Sequence, residues 1–111
     1  MRDKINDGAR LALILEAIAN IENFLQDTKS CEEFESNKIL CHAVVYNLQC
    51  IGESVYRLSS DFTSSHTEIE WEVIEGLRHV LVHDYYAVNM STVWNVVQKD
   101  LPGLKSYILS L

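Results

Sequence analysis

The sequence predicts an all-α domain on three observations. Apolar residues recur at spacings of three and four along most of the chain. Alternation of period two is absent, and one proline with four glycines leaves little turn punctuation. A chain of 111 residues has room for one core. The reading is a single domain, residues 1–111, folded as an antiparallel up-and-down bundle of about four or five helices.

Each element has its own signal. Ile14, Ile18, Ile21 and Leu25 form one stripe of a helix from about Lys4 to Asp27. Ser30 with Glu33 makes a capping box for a short turn through Phe34. Ser36 or Asn37 then caps a longer helix, whose stripe is Leu40, Val44, Leu48, Ile51, Val55 and Leu58. Residues 59–68, rich in Ser and Thr, read as a loop. A third helix starts near Glu68 or Glu70, with Ile74, Leu77, Val80 and Leu81 toward the core. Asn89 or Ser91 caps a fourth, with Val93, Trp94 and Val97 pointing inward. Pro102 fits the first turn of a final short helix, where its missing N–H costs nothing.

Composition narrows the function classes. Apolar residues are 48% and charged residues 23% of the chain, values of an ordinary globular protein. No apolar run approaches the length of a membrane span, and Met1-Arg2-Asp3-Lys4 leads into an amphipathic pattern without a signal-peptide core. The expectation is a cytoplasmic protein without membrane contact. Cys31, Cys41 and Cys50 are odd in number and fit no CxxC spacing, so they read as packing thiols. The net charge of −7 opposes generic nucleic-acid binding. Locally, Arg78 is the only Lys or Arg between Arg57 and Lys99, among Glu68, Glu70, Glu72, Glu75 and Asp84. A polyanion would be repelled there unless the site is shielded or completed by another chain.

The richest chemistry lies in Arg78-His79-Val80-Leu81-Val82-His83-Asp84-Tyr85. A guanidinium can grip a phosphate with two parallel hydrogen bonds. An imidazole exchanges a proton near neutral pH, and a phenol can attack an activated phosphate. At 100° per residue from Trp71, Arg78 falls at about 340°, at the edge of the apolar arc. A charge there must be paired or reach a ligand. His79 and His83 fall at about 80° and 120°, on the polar side. Arg78 and His83 are thus about 140° apart, too far to grip one small group on an unbroken helix. They can do so only if the helix ends near His83 or a second copy completes the site. The expectation is a helix that frays at Asp84-Tyr85-Tyr86 and a cleft lined by another copy. Plainer readings stand beside these: Arg78 paired with Glu53 or Glu75, His83 as a helix-end cation, and Tyr85 and Tyr86 as core-edge tyrosines. His79-x3-His83 could bind a metal, but no third ligand has a matching spacing. No metal and no cofactor are expected. Gly-rich phosphate loops and nucleophile elbows are absent.

The chain resembles the HepT-like branch of the HEPN superfamily, the partner of a minimal nucleotidyltransferase (MntA) in prokaryotic toxin–antitoxin pairs. The resemblance runs through Leu48-Gln49-Cys50-Ile51-Gly52-Glu53-Ser54, Glu70-Trp71 and Ile74-x-Gly76-x-Arg78. It continues through the R-x4-H-x-Y motif of Arg78, His83 and Tyr85, then Val88-Asn89, Val93-Trp94 and Leu101-Pro102. Asn89 stands where many members have Asp. The resemblance implies a helical homodimer with two R-x4-H motifs facing a shared cleft, and a metal-independent endoribonuclease acting on RNA. It implies that Arg78 stabilises charge on the scissile phosphate, that His83 is general base or acid, and that His79 assists. It implies that Tyr85 receives AMP from the MntA-like partner, which silences the toxin. Some HEPN proteins are non-catalytic, so the alternative is a binding module that docks with, or is modified by, a nucleotidyltransferase.

Overall fold

The computed structural model describes residues 6–83 and 88–111, with the side chains of Val82 and His83 also outside the description. Every regular element among the described residues is helical. The long helices are α1 (Asp7–Phe24), α3 (Lys38–Tyr56) and α5 (Trp71–His83). Shorter pieces are α2 (Cys31–Ser36), α4 (Ser60–Ser65), α6 (Met90–Asn95) and α7 (Leu101–Leu109). The all-α bundle expected from the periodicity is what forms.

Helix α3 is the centre, packed along both α1 and α5. Its stripe of Val44, Leu48, Ile51 and Val55 is buried against Ile14, Ile18 and Ile21 of α1. Phe34 of α2 is fully buried and meets Trp94 of α6 at 5.6 Å between ring centroids. The C-terminal helix α7 closes the bundle against α1 through Leu101, Leu104 and Ile108. None of the helices is long and apolar enough to cross a membrane, among the described residues.

Capping chemistry sets the boundaries. Asn6, Ser30, Asn37 and Asn89 each accept a backbone N–H in the first turn of α1, α2, α3 and α6. Where the sequence left a choice, Asn37 and not Ser36 caps α3, and Asn89 and not Ser91 caps α6. Helix α1 stops at Phe24, short of Asp27.

One expectation is corrected. Residues 59–68 are not a plain loop, because α4 lies within them. Ser59 caps α4 by accepting from Phe62 N–H at 3.1 Å, and Asp7 of α1 accepts both Ser59 N–H and its hydroxyl, at 2.8 and 2.6 Å. A helix held by a cap and a brace, with no buried residue of its own, leaves no apolar period to read. Pro102 lies in the first turn of α7, as its position predicts. A π-helical turn, Val96–Asp100, links α6 to α7. There the Leu101 N–H reaches back to the Val96 carbonyl. The wider turn accommodates a proline that could not donate to the fourth residue before it.

One polar contact joins the C-terminal helix to the segment before α5. The Tyr107 hydroxyl donates to Glu68 Oε1 at 2.7 Å. This bond, helped by the Glu68 backbone N–H, holds the Glu68 carboxyl below its usual range. Partial burial and the same bond push the Tyr107 phenol up. Because the folded Glu68 value is lowered, its contribution is complete above the ordinary glutamate range and lost as pH falls through the folded value. Tyr107→Phe should raise the Glu68 midpoint toward that of an ordinary glutamate in a carboxyl-carbon NMR titration. An unchanged midpoint would mean that the bond does not persist in solution.

Candidate active site around Arg78

The site begins with a glycine. A Cβ on Gly52 would collide with the Arg78 Cβ and sit 3.1 Å from its Cα. Only a residue without a side chain lets α3 and α5 approach this closely. Glycine in a helix interior costs about 0.5–1 kcal/mol relative to alanine, and here the close approach requires it.

The next turn of α3 supplies the partners of the arginine. Glu53 Oε1 lies 3.4 Å from Arg78 Nη1. The Arg78 guanidinium carbon stands 4.6 Å from the centre of the Tyr56 ring, a cation–π stack. The second carboxylate oxygen of Glu53 accepts from Arg57 Nε at 2.8 Å. Spacings of three and four put Glu53, Tyr56 and Arg57 on one helical face. The Arg78 side chain is 28% exposed, so it sits at the rim of the core as its wheel position predicts. Its Nε is buried and meets no acceptor among the described residues.

A groove of about 540 Å³ runs beside this cradle between α1 and α3. Arg10, Asn20, Tyr46, Asn47, Glu53 and Arg78 are among its walls. Asn20 donates to Asn47 at 3.1 Å, and Asn47, 6% exposed, donates to the Ala43 carbonyl at 2.8 Å. The polar wall is therefore hydrogen-bonded and stiff. Further along α3, Gln49 donates to the Leu81 carbonyl at 3.0 Å. Leu81 lies on α5 two residues before His83. That bond ties the part of α5 near His83 to α3.

The sequence-predicted residues are placed unevenly. Arg78 is held as described, and of its two proposed carboxylates Glu53 is the one it meets. His79 is exposed on α5. Helix α5 is continuous from Trp71 to His83, so positions 78 and 83 lie about 140° apart around its axis. One α5 therefore does not bring the two positions onto one face. The expected helix end at Asp84, together with Tyr85 and Tyr86, lies outside the described residues. Val80, expected on the core face, is 44% exposed. The buried arc centres on Leu81, and Val80 at about 180° falls beyond it. Among the described residues, no group of three His, Cys, Asp or Glu side chains could hold a metal ion.

Several members of the cradle escape sequence reading as site residues. Arg78 looks isolated among acids in one dimension, yet the fold brings Arg57 onto its carboxylate and Arg10 into its groove. The signal for Arg57 was its i,i+4 spacing from Glu53. Nothing in the spacing marks Tyr56 or Arg10.

The bundle thus holds the arginine of an R-x4-H element at the rim of a groove between α1 and α3. A model of the family described as "Ribonuclease HepT-like" matches residues 14–111. The chain belongs to that family. It is 36% identical over 92 residues to a Thermococcus cleftensis protein named "Probable ribonuclease HepT", covering 83% of each chain. It is 30% identical over 95 residues to "Putative RNase MJ1380" of Methanocaldococcus jannaschii, covering 86% of each. A third relative, from the same archaeon, is named "Gamma-glutamylcyclotransferase and putative RNase MJ0434". It is 35% identical over 98 residues, and the match spans 88% of this chain but only 44% of that protein. No solved structure matches the chain.

The Gly52 contact makes a paired prediction. Gly52→Ala should lower the urea-unfolding free energy by about 1–3 kcal/mol, the usual cost of overpacking. Gly76→Ala, where a Cβ meets nothing within 4 Å, should be neutral or stabilise by up to about 1 kcal/mol. Equal effects of the two substitutions would contradict the close approach.

Proposed function

We propose that this protein is a metal-independent endoribonuclease of the HepT type, the toxin of a pair in which a nucleotidyltransferase is the antitoxin. The observation that carries the reading is the pre-positioned Arg78 within the R-x4-H-x-Y element of a HepT-like family member. Arg78 contacts the scissile phosphodiester and stabilises the charge that builds on its oxygens. The ribose 2′-oxygen attacks phosphorus and the bond to the 5′-oxygen breaks, leaving a 2′,3′-cyclic phosphate and a 5′-hydroxyl. His83 takes the 2′-proton or supplies the proton to the leaving oxygen, and His79 assists.

The unbroken run of α5 supports a homodimer in which each protomer contributes to a shared cleft. Leu13 and Tyr46, 41% and 64% exposed beside the groove, are apolar surface that a second copy would cover. Adenylylation of Tyr85 by an MntA-like partner places a bulky anion two residues from His83. It would repel RNA and silence the enzyme.

Purified protein, verified by mass spectrometry to carry no adenylate, should sediment as a dimer at micromolar concentration and cleave total cellular RNA with chelator present. Arg78→Ala and His83→Ala should each lower cleavage by about 10²-fold or more without loss of helicity or dimer. A verified unmodified dimer that leaves RNA intact would overturn the nuclease reading in favour of a binding module.

A further inference from the structure

We propose that Glu53 is a carboxylate latch on Arg78, shared with Arg57 so that an arriving phosphate can take the arginine without stranding the carboxylate. This rests on the reading above that Arg78 meets an RNA phosphate. The geometry carries the rest. One carboxylate serves two guanidiniums, one oxygen to each. The contact to Arg57 is a short charge-assisted bond of 2.8 Å, within one helix and in the favoured order of acid before base. The contact to Arg78 crosses between helices and is 3.4 Å, at the long limit for a hydrogen bond. Glu53 is thus held mainly by Arg57, and its grip on Arg78 is the weaker one.

That inequality suits exchange. A phosphodiester offers Arg78 two oxygens in the fork geometry that one distant carboxylate oxygen does not. When Arg78 turns to the phosphate, Glu53 keeps Arg57 and remains neutralised, so no bare carboxylate faces the RNA. The Tyr56 ring lies against the guanidinium and keeps its plane in place while its partner changes. Glu53 therefore lowers anion affinity and orients Arg78 beforehand, and Arg57 limits the first of these effects. Glu53 and Arg57 are positioning residues, acting through Arg78.

The probe is a fluorescent 2′-O-methyl RNA decanucleotide, which binds without being cleaved because its attacking hydroxyl is blocked. Affinity is read by anisotropy on the full chain, with wild type, Arg78→Ala, Glu53→Gln, Arg57→Gln and the double variant. Glu53→Gln should tighten binding by about three- to tenfold and Arg57→Gln should weaken it. In the Glu53→Gln background the effect of Arg57→Gln should shrink by about threefold or more, the coupling expected of residues acting through one carboxylate. Simple loss and gain of surface charge gives additive effects, and additivity would overturn the latch. If Glu53→Gln fails to fold by circular dichroism, Glu53→Asp replaces it. Its shorter arm must give the same tightening, and weaker binding would equally overturn the proposal. The two readings fail differently. If Arg78→Ala binds as wild type, Arg78 does not meet phosphate and the functional reading falls. If Arg78→Ala binds weakly but the cycle is additive, only the latch falls.

Discussion

The contact of Gly52 with the backbone of Arg78 sets the spacing of α3 and α5, and the candidate site depends on that spacing. With a larger residue at position 52, the two helices would have to move apart until its Cβ cleared Arg78. Glu53 would then lose its already long contact with Arg78, and the guanidinium would lift from the Tyr56 ring. The Gln49 bond to the Leu81 carbonyl, one turn away, would stretch with them. A glycine, an acid and an aromatic within five residues of one helix thus form a seat for an arginine on another.

The energetics favour orientation over strength. A partly exposed ion pair contributes about 0–1 kcal/mol, and a cation–π stack at a partly exposed site about the same. Neither makes Arg78 a pillar of the fold, and the core of α1, α3 and α7 holds without it. What the contacts do is limit the rotamers of a long side chain, so that under the proposed function less entropy would be lost on binding. The neighbouring groove follows the same logic, with Asn20 and Asn47 tied to each other and to the backbone. The acidity of the chain is met locally by Arg10 and Arg57, which come from other helices. A net charge of −7 therefore describes the whole surface better than it describes this site.

Much of this was legible in the sequence. The stripes of α1 and α3 and the cap Ser30 could be read, and the caps of α3 and α6 narrowed to two residues each, because apolar period and N-cap chemistry are local signals. Arg78 could be placed at the core rim from its wheel angle alone. What could not be read depends on tertiary packing. Helix α4 is held by Asp7, about fifty residues earlier in the chain. The π turn at Val96–Asp100 has no composition signal of its own. Gly52 could be matched to a family segment, but that its missing side chain admits Arg78 is visible only with α5 in place. Tyr56 and Arg10 look like ordinary surface residues until the bundle assembles.

The central claim is that α3 holds Arg78 in one orientation before any ligand is present. The direct measurement is the ¹⁵N-resolved NMR signal of the Arg78 guanidinium in the unliganded protein, assigned by Arg78→Lys. A buried Nε against the Tyr56 ring predicts a distinct, ring-shifted Nε–H that exchanges slowly with solvent and collapses toward the bulk arginine signals in Tyr56→Ala. A signal that already coincides with the exposed arginines and exchanges as fast would contradict it.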